Sequence, residues 1–452
     1  MDAPVELRKP IRLQFGLQAS PIRPLPPEDV THIWQINGPS LEEELYRKSS
    51  EAGATAVVFH GGWKGGKGDD WGGWPSQPRD PERRKALKDA VALAHKHGLK
   101  VMIYTGWGVD ATSDAWKHFG HEMIRKPIEN SGFNTYRQAA GLQGAYNDYV
   151  AYALAELIRD YDVDGVLWDS TSNVFSDENL RIGNGWVDEK GNVRPAYPVR
   201  AARELYRRVY NLVHGELPPA GEPRLYGGKD NGVIVNHPGS IWAINVYSDV
   251  HHRGEGAPMH ARTLRESWRP LEEYRAAYSA RPFGLPYLGM IKNFKRLPMR
   301  VNNHLAVTLL HGAHAKGIAS SFEDKLQNYG YDSQPHARIW QARKWLPFDA
   351  QTRWHVFYEG QKAVQPEPAS LLASAFVSGD AKRALIVVSN LDKDPVPAAR
   401  VRVDLKALGL NPAAPLALED AILRQPVEFK DGAFAMDLEP ERYRLLKLWQ
   451  KE

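Results

Sequence analysis

The stretch NDYVAYALAELIRDYDVDGVLWDSTSN, residues 147–173, constrains the fold more than any other part of the chain. Val150, Leu154, Leu157, Ile158 and Tyr161 recur at the spacing of one helical face. A loop holding Asp162 and Asp164 follows. Next comes the apolar run Gly165–Trp168, which ends abruptly in Asp169, Ser170 and Thr171. In a parallel α/β barrel, a carboxylate where a buried strand emerges points into the mouth, and barrel enzymes do their chemistry there. The competing reading is that Asp169 caps the turn or helix that follows.

The same order of helix, apolar run and polar tip recurs from residue 11 to about residue 345. Strand-like runs fall at 11–18, 55–60, Lys100–Thr105, Gly165–Trp168, 232–236, 241–246, 286–291 and 316–320. Helical patterns fall at 41–52, 81–97, 149–161, Val199–His214, 271–280 and 301–311. Pro81 opens one of these helices and Gly98 ends it, each at the end that suits it. Residues 236–241 are too few for a crossover helix, which sets the two strands they separate in competition with each other. Eight parallel strands with intervening helices leave the least of the pattern unexplained. After about Gln351 the runs turn short and β-rich, separated by Pro, Gly and Asp, and Asp431 with Gly432 marks a hairpin. The expected architecture is therefore a (β/α)8 TIM barrel over residues 1–350, followed by an antiparallel β-sandwich over residues 351–452.

Composition narrows the function classes. A length of 452 residues exceeds what one core usually spans, which agrees with two domains. A net charge of +4 with no Lys/Arg block argues against nucleic acid as a partner. The absence of cysteine removes thiolate metal sites and a cysteine nucleophile. There is no long apolar run, and the first residues lack a charged-then-apolar leader pattern. A soluble protein is expected, secreted or periplasmic only if a leader has been removed. The 14 Trp and 19 Tyr stand often beside turns, where aromatic faces suit stacking on sugar rings. The loop 61–80, with Gly65, Gly66 and Gly68, lacks the spacing and the Lys-Ser/Thr end of a phosphate loop. It reads as an aromatic rim loop.

Polar residues at the tips of the expected strands form one candidate set. Strand two ends in His60 and Trp63, strand three in Trp107 and Asp110, strand four in Asp169, and strand five in Asn236 and His237. Strand six runs into Tyr247, Asp249, His251, His252 and Glu255, and strand eight into Glu323 and Asp324. Two carboxylates facing one mouth, with aromatic neighbours, are what glycosidic hydrolysis requires: one protonates the departing oxygen while the other attacks or stabilises the sugar carbon. The expected catalytic residues are Asp169 and Glu255, with Asp249 as the next candidate for the acid. The expected substrate contacts are His60, Trp63, Trp107, Asp110, His237, Tyr247 and Lys292. Lys295, Arg296 and Arg300 stand near Lys292, and such a cluster suits an acidic or heavily hydroxylated sugar. Asp249, His251 and His252 have no spacing that aims three ligands at one point, so no metal and no cofactor are expected.

Several segments in order resemble the barrel proteins grouped near glycoside hydrolase family 123. They are GLQASPIRPLP, KALKDAVALAHKHGLKVMIYTGWG, VDGVLWDSTSN, ENLRIGNGW with VRPAYPVRAARELYRRVY, and the Gly-Glu pair of HHRGEG. The resemblance covers residues 11–345 and implies a barrel glycosidase. Family 123 enzymes act on N-acetylgalactosamine through an adjacent Asp-Glu pair. The comparable pair here, Asp177 and Glu178, lies in the loop after Asp169. A looser resemblance to the α-galactosidase clan implies a nucleophile at Asp169 and an acid at Glu255 or Asp249. The leading expectation is a glycoside hydrolase acting on a terminal sugar. The alternatives are a non-catalytic carbohydrate-binding barrel and a metal-dependent hydrolase or isomerase.

Overall fold

The structure is a computed structural model. It describes residues 17, 28–36, 38–60, 77–106, 108–110, 113–125, 137–138, 141–169, 176–215, 232–237, 245–253, 271, 275, 285–289, 301–315, 317–318, 334–359 and 362–451. Short apolar runs set its frame. In chain order these are β1 (Ile33–Ile36), β2 (Ala56–Phe59), β3 (Lys100–Thr105), β4 (Gly165–Trp168), β5 (Val233–Asn236), β6 (Val250–Arg253), β7 (Tyr287–Gly289), β8 (His314–Ala315) and β9 (Gly317–Ile318). All pair in parallel. The last two are pieces of one stave on either side of residue 316: β8 pairs with β7 and β9 returns to β1, so the sheet closes into an eight-stave barrel.

Strand parity divides the apolar residues between two cores. Trp34, Val57, Ile103, Val166 and Ile234 point outward into a core shared with α1 (Glu43–Glu51), α2 (Pro81–Lys96), α3 (Asp114–Met123), α4 (Ala145–Tyr161) and α5 (Val199–His214), where Tyr46, Leu87, Met123, Leu154 and Leu205 are buried. Trp34 meets Trp340 there, with ring centroids 5.2 Å apart. Their neighbours Ile33, Val58, Met102, Leu167, Val235 and Leu288 point inward and fill the barrel. Each such side chain contributes roughly 1.5–3 kcal/mol on burial. Because both faces are covered, the strands read as continuous apolar runs rather than as alternating ones.

Two strands differ from the sequence-based expectation. The first stave is β1 at Ile33–Ile36, not residues 11–18, of which only Leu17 is described and lies outside any strand. The sixth is β6 at Val250–Arg253, not residues 241–246; residues 245–247 form a helical turn. The true sixth strand, VHHR, is polar enough to read as a loop.

The foot of the barrel repeats one motif. Asp164, just before β4, accepts the Val101 backbone N–H of β3 at 2.7 Å and Nε2 of His95, in the last turn of α2, at 2.7 Å. Asp249, just before β6, accepts the Ile234 N–H of β5 at 2.7 Å and Nε2 of His214, the last residue of α5, at 2.9 Å. Each carboxylate thus ties a helix end to the neighbouring strand.

Beyond the barrel, β10 (Arg353–His355), β11 (Val364–Glu367), β12 (Leu372–Val377), β13 (Arg383–Asn390), β14 (Val396–Val403), β15 (Leu416–Asp420), β16 (Gln425–Val427), β17 (Ala433–Leu438) and β18 (Arg442–Gln450) build two antiparallel sheets. Their orders are β10-β12-β13-β18-β15-β16 and β11-β14-β17. Ala384, Ile386 and Val388 face the second sheet, alongside Val401 and Phe434. Leu385 and Val387 face α6 (Val301–Leu310) and α7 (Gln334–Trp345), alongside Leu309 and Ile339. One continuous apolar layer therefore joins sandwich and barrel. Ser374 and Ser389 donate across it to the carbonyls of Leu310 and Ala306, each at 2.8 Å. The expected hairpin is present: Asp431 and Gly432 both have positive φ, 51° and 70°, between the paired Lys430 and Ala433.

Candidate active site

Inward parity continues past the apolar filling and sets a polar layer at the C-terminal end of the barrel. On β2 the inward series Ala56, Val58 is continued by His60; on β3, Met102 is followed by Tyr104. On β4, Gly165 and Leu167 lead to Asp169; on β5, Val233 and Val235 lead to His237; on β6, Val250 leads to His252. The paired positions Trp168 and Asn236 place Asp169 level with His237, and the pairing of Asn236 with His251 places His252 level with both. Backbone bonds hold these tips in register: Asp169 N–H donates to Thr105 O at 2.7 Å and His237 N–H to Trp168 O at 2.8 Å.

Asp169 is the centre of this layer. One carboxylate oxygen accepts a hydrogen bond from the Tyr104 hydroxyl. The other stands 2.6 Å from Nδ1 of His237, which must donate if the carboxylate is ionised. A carboxylate with a donor on each oxygen is oriented and favoured in its charged form. Its side chain keeps 22 % of its accessibility, whereas that of His237 keeps 3 %, so Asp169 is the member that meets solvent in the mouth. Two more rings brace it from behind its partners. His60 lies against Tyr104 with ring centroids 4.2 Å apart, and His252 against His237 at 4.5 Å. On the outward side Trp168, beside Asp169 in the chain, stacks on Tyr206 of α5 at 4.8 Å. This arrangement can present a fixed, partly solvated carboxylate to an electrophilic carbon or to a water molecule.

The structure does not bring every expected residue here. Asp249 stands at the foot of β6, at the opposite end of the barrel from Asp169, and its carboxylate holds the β5 backbone and His214. The displacement of the sixth strand explains this: with β6 beginning at Val250, Asp249 precedes the strand instead of following it. Tyr247 packs on the helix layer, 6.0 Å from the ring of Tyr210, with the Arg203 guanidinium 5.0 Å from its own ring. It faces away from the barrel interior. Asp110 pairs through its backbone with Arg137 in a two-residue ribbon above β3. Glu255, Trp63, Trp107, Lys292, Lys295, Arg296, Arg300, Glu323 and Asp324 lie outside the described residues. Of the adjacent acidic pair, Asp177 is buried and accepts Asn179 N–H and Asn184 Nδ2, both at 2.8 Å. Burial raises its carboxyl above the usual range, partly offset by those bonds. Its role there is to fold the loop.

Tyr104 is absent from the residues singled out in the sequence, although its signal was present: on a strand spanning Lys100–Thr105 it shares a face with Met102. Among the described residues no three His, Asp or Glu side chains converge to hold a metal ion. No helix among them is long and apolar enough to cross a membrane.

No model of a known protein family matches the chain, and no curated protein does. Solved structures do. The α-amylase of Geobacillus thermoleovorans, complexed with acarbose, superposes with a TM-score of 0.58 at 14 % identity, over 94 % of this chain and 100 % of that one. A family 36 α-galactosidase of Geobacillus stearothermophilus, in complex with stachyose, gives 0.57 at 12 % identity over 95 % of this chain and 56 % of its own. The α-L-fucosidase isoenzyme 2 of Paenibacillus thiaminolyticus gives 0.56 at 11 % identity over 93 % and 99 %. All three are glycoside hydrolases. At these identities the likeness is one of fold: a TIM barrel followed by a β-sandwich.

Proposed function

We propose that the protein is a glycoside hydrolase that releases a terminal sugar by a two-carboxylate mechanism, with Asp169 as nucleophile or base. The observation that carries this reading is the partly exposed Asp169 carboxylate at the tip of β4, fixed by Tyr104 and His237 in the barrel mouth. The fold likeness to glycosidases of three specificities supports it, because a barrel concentrates its chemistry on that face. A fold alone does not carry an activity. The orientation and partial exposure of the Asp169 carboxylate supply the specific argument.

In the proposed reaction Glu255, two residues beyond the end of β6, protonates the departing glycosidic oxygen as the C–O bond breaks. Asp169 either attacks the anomeric carbon or takes a proton from the attacking water, depending on the spacing of the two carboxyl groups. His60, with Trp63, Trp107 and Lys292 from the sequence, completes the sugar contacts. The acidic pair at Asp177 and Glu178 does not enter this scheme, which sets the proposed chemistry apart from the substrate-assisted route of family 123.

The test is hydrolysis of a panel of aryl glycosides and native polysaccharides by the parent, Asp169→Asn and Glu255→Gln. Loss of turnover in both variants, with glycan binding retained, supports the proposal. Binding without turnover in the parent identifies a carbohydrate-binding barrel instead. Inactivation by a chelator identifies a metal-dependent enzyme.

A further inference from the structure

Resting on the glycosidase reading, we propose that the ribbon in the loop after β4 is a stacking platform for the remote sugars of an oligosaccharide whose terminal unit sits at Asp169. The chain leaves the barrel mouth at Asp169 and begins its descent at Val199, the first residue of α5; α5 ends at the foot with His214. Residues 176–198 therefore belong to the mouth side of the barrel. Within them Trp186–Val187 pairs with Val193–Arg194 as a two-stranded ribbon. Trp186 is 57 % exposed and Tyr197 is 66 % exposed, high values for two of the largest side chains.

The backbone that carries Trp186 is held in place by a set of hydrogen bonds. Asp188 accepts the backbone N–H groups of Lys190 and Asn192, each at 2.9 Å, and Nε of Arg194 at 2.8 Å, which closes the turn. The buried Asp177 latches the base through Asn179 and Asn184, and exchanges two backbone bonds with Ala196. Asn179 in turn donates to the carbonyls of His121 and Ile124, beside the end of helix α3 (Asp114–Met123). Exposed aromatics on a rigid mount lose little freedom on binding.

Chemistry selects the occupant. Trp186 is paired across the ribbon with Arg194, while Val187 is paired with Val193; successive side chains point to opposite faces. Trp186 is thus on one face of the ribbon, and Val187 and Val193 are on the other. The four paired residues of the ribbon are far fewer than the roughly 20–30 that a protein partner covers on one side of a stable interface. A single indole face with Arg194 and Asn192 near it has the size of one pyranose ring. It also has donors for the hydroxyls around that ring.

The experiment uses the full chain carrying Asp169→Asn, so that bound glycan is not consumed. Affinity electrophoresis against soluble polysaccharides identifies the best ligand, and calorimetry then compares its oligosaccharides with its monosaccharide. Trp186→Ala, with an unchanged melting temperature, is expected to weaken oligosaccharide binding roughly tenfold and leave monosaccharide binding unchanged; Trp186→Phe keeps most of the affinity. In the catalytically intact chain, Trp186→Ala should leave cleavage of aryl monoglycosides at the parent rate. Equal oligosaccharide affinity in parent and Trp186→Ala overturns the platform and leaves the reading of Asp169 standing. A dimer in the parent that becomes a monomer in Trp186→Ala, by light scattering, overturns it in favour of a protein interface. If Asp169→Asn proves fully active, the glycosidase reading falls instead, irrespective of what Trp186 binds.

Discussion

Asp249 receives the imidazole of His214 at 2.9 Å and the backbone N–H of Ile234 at 2.7 Å, joining the end of α5 to β5 at the foot of the barrel. Asp164 makes the same pair of bonds with His95 and Val101 two staves away. Since these carboxylates satisfy otherwise buried donors, Asp249→Ala and Asp164→Ala should each cost about 2–4 kcal/mol of stability. Below their lowered melting temperatures both variants should turn over substrate at the parent rate. Chemical denaturation alongside steady-state kinetics checks this. A collapse of kcat in folded Asp249→Ala would restore Asp249 as the acid.

At the other end of the barrel the donors on Asp169 should matter kinetically. Asp169→Asn is expected to reduce kcat by roughly a thousandfold or more. Tyr104→Phe removes one charge-assisted hydrogen bond without changing shape and should cost about ten- to a hundredfold. The acid limb of its pH–rate profile should also move upward, because the carboxylate loses a donor that favours its ionised form. An unshifted limb would reduce Tyr104 to a packing residue.

How much of this was legible in the sequence depends on the strand. β4 stood out because a long amphipathic helix precedes it and a carboxylate stops it. β1 did not: IWQI is four residues long, too short to separate from neighbouring apolar runs by periodicity, and residues 11–18 offered a longer alternative. β6 was missed for a different reason. Its inward position His252 belongs to the polar layer and His251 packs edge-on against Tyr287 at 6.2 Å, so the strand carries almost no apolar signal. That one displacement moved Asp249 from foot to mouth in the sequence reading. Tyr104 was overlooked because an aromatic inside an apolar strand looks like core until the inward parity is known. In the sandwich, by contrast, residues 384–388 of β13 are apolar without interruption because the strand is covered on both faces.

The β4–β5 seam that aligns Asp169 with His237 tolerates no side chain at Gly165. A Cβ there would fall on the backbone carbonyl of Val233. Gly165→Ala should therefore destabilise by more than about 4 kcal/mol or prevent soluble expression. Gly98→Ala provides the contrast. Its φ of +70° is strained for alanine, yet nothing lies within 4 Å, so about 1–2 kcal/mol is expected. Thermal unfolding of the pair measures steric exclusion against backbone strain.

Acid sensitivity should originate at the junction of barrel and sandwich. His311 is 2 % exposed, donates from Nδ1 to the Val307 carbonyl at 2.8 Å and meets Phe357 edge-on at 5.1 Å. Burial pushes its pKa down to about 4, the Val307 bond opposes that shift, and the charge of Arg275 adds to it. The folded imidazole is therefore neutral where the unfolded one, with an ordinary pKa near 6.5, takes up a proton. Between pH of about 6.5 and about 4 the unfolded chain holds more protons, so stability falls as the pH falls through that window. The full loss amounts to about 3 kcal/mol. His311→Gln keeps a donor for Val307 but cannot titrate. Its stability relative to the parent should be lower at pH 7.5 and should recover at pH 4.5. Urea unfolding at the two pH values gives the comparison, and a difference that does not change with pH would place the acid sensitivity elsewhere.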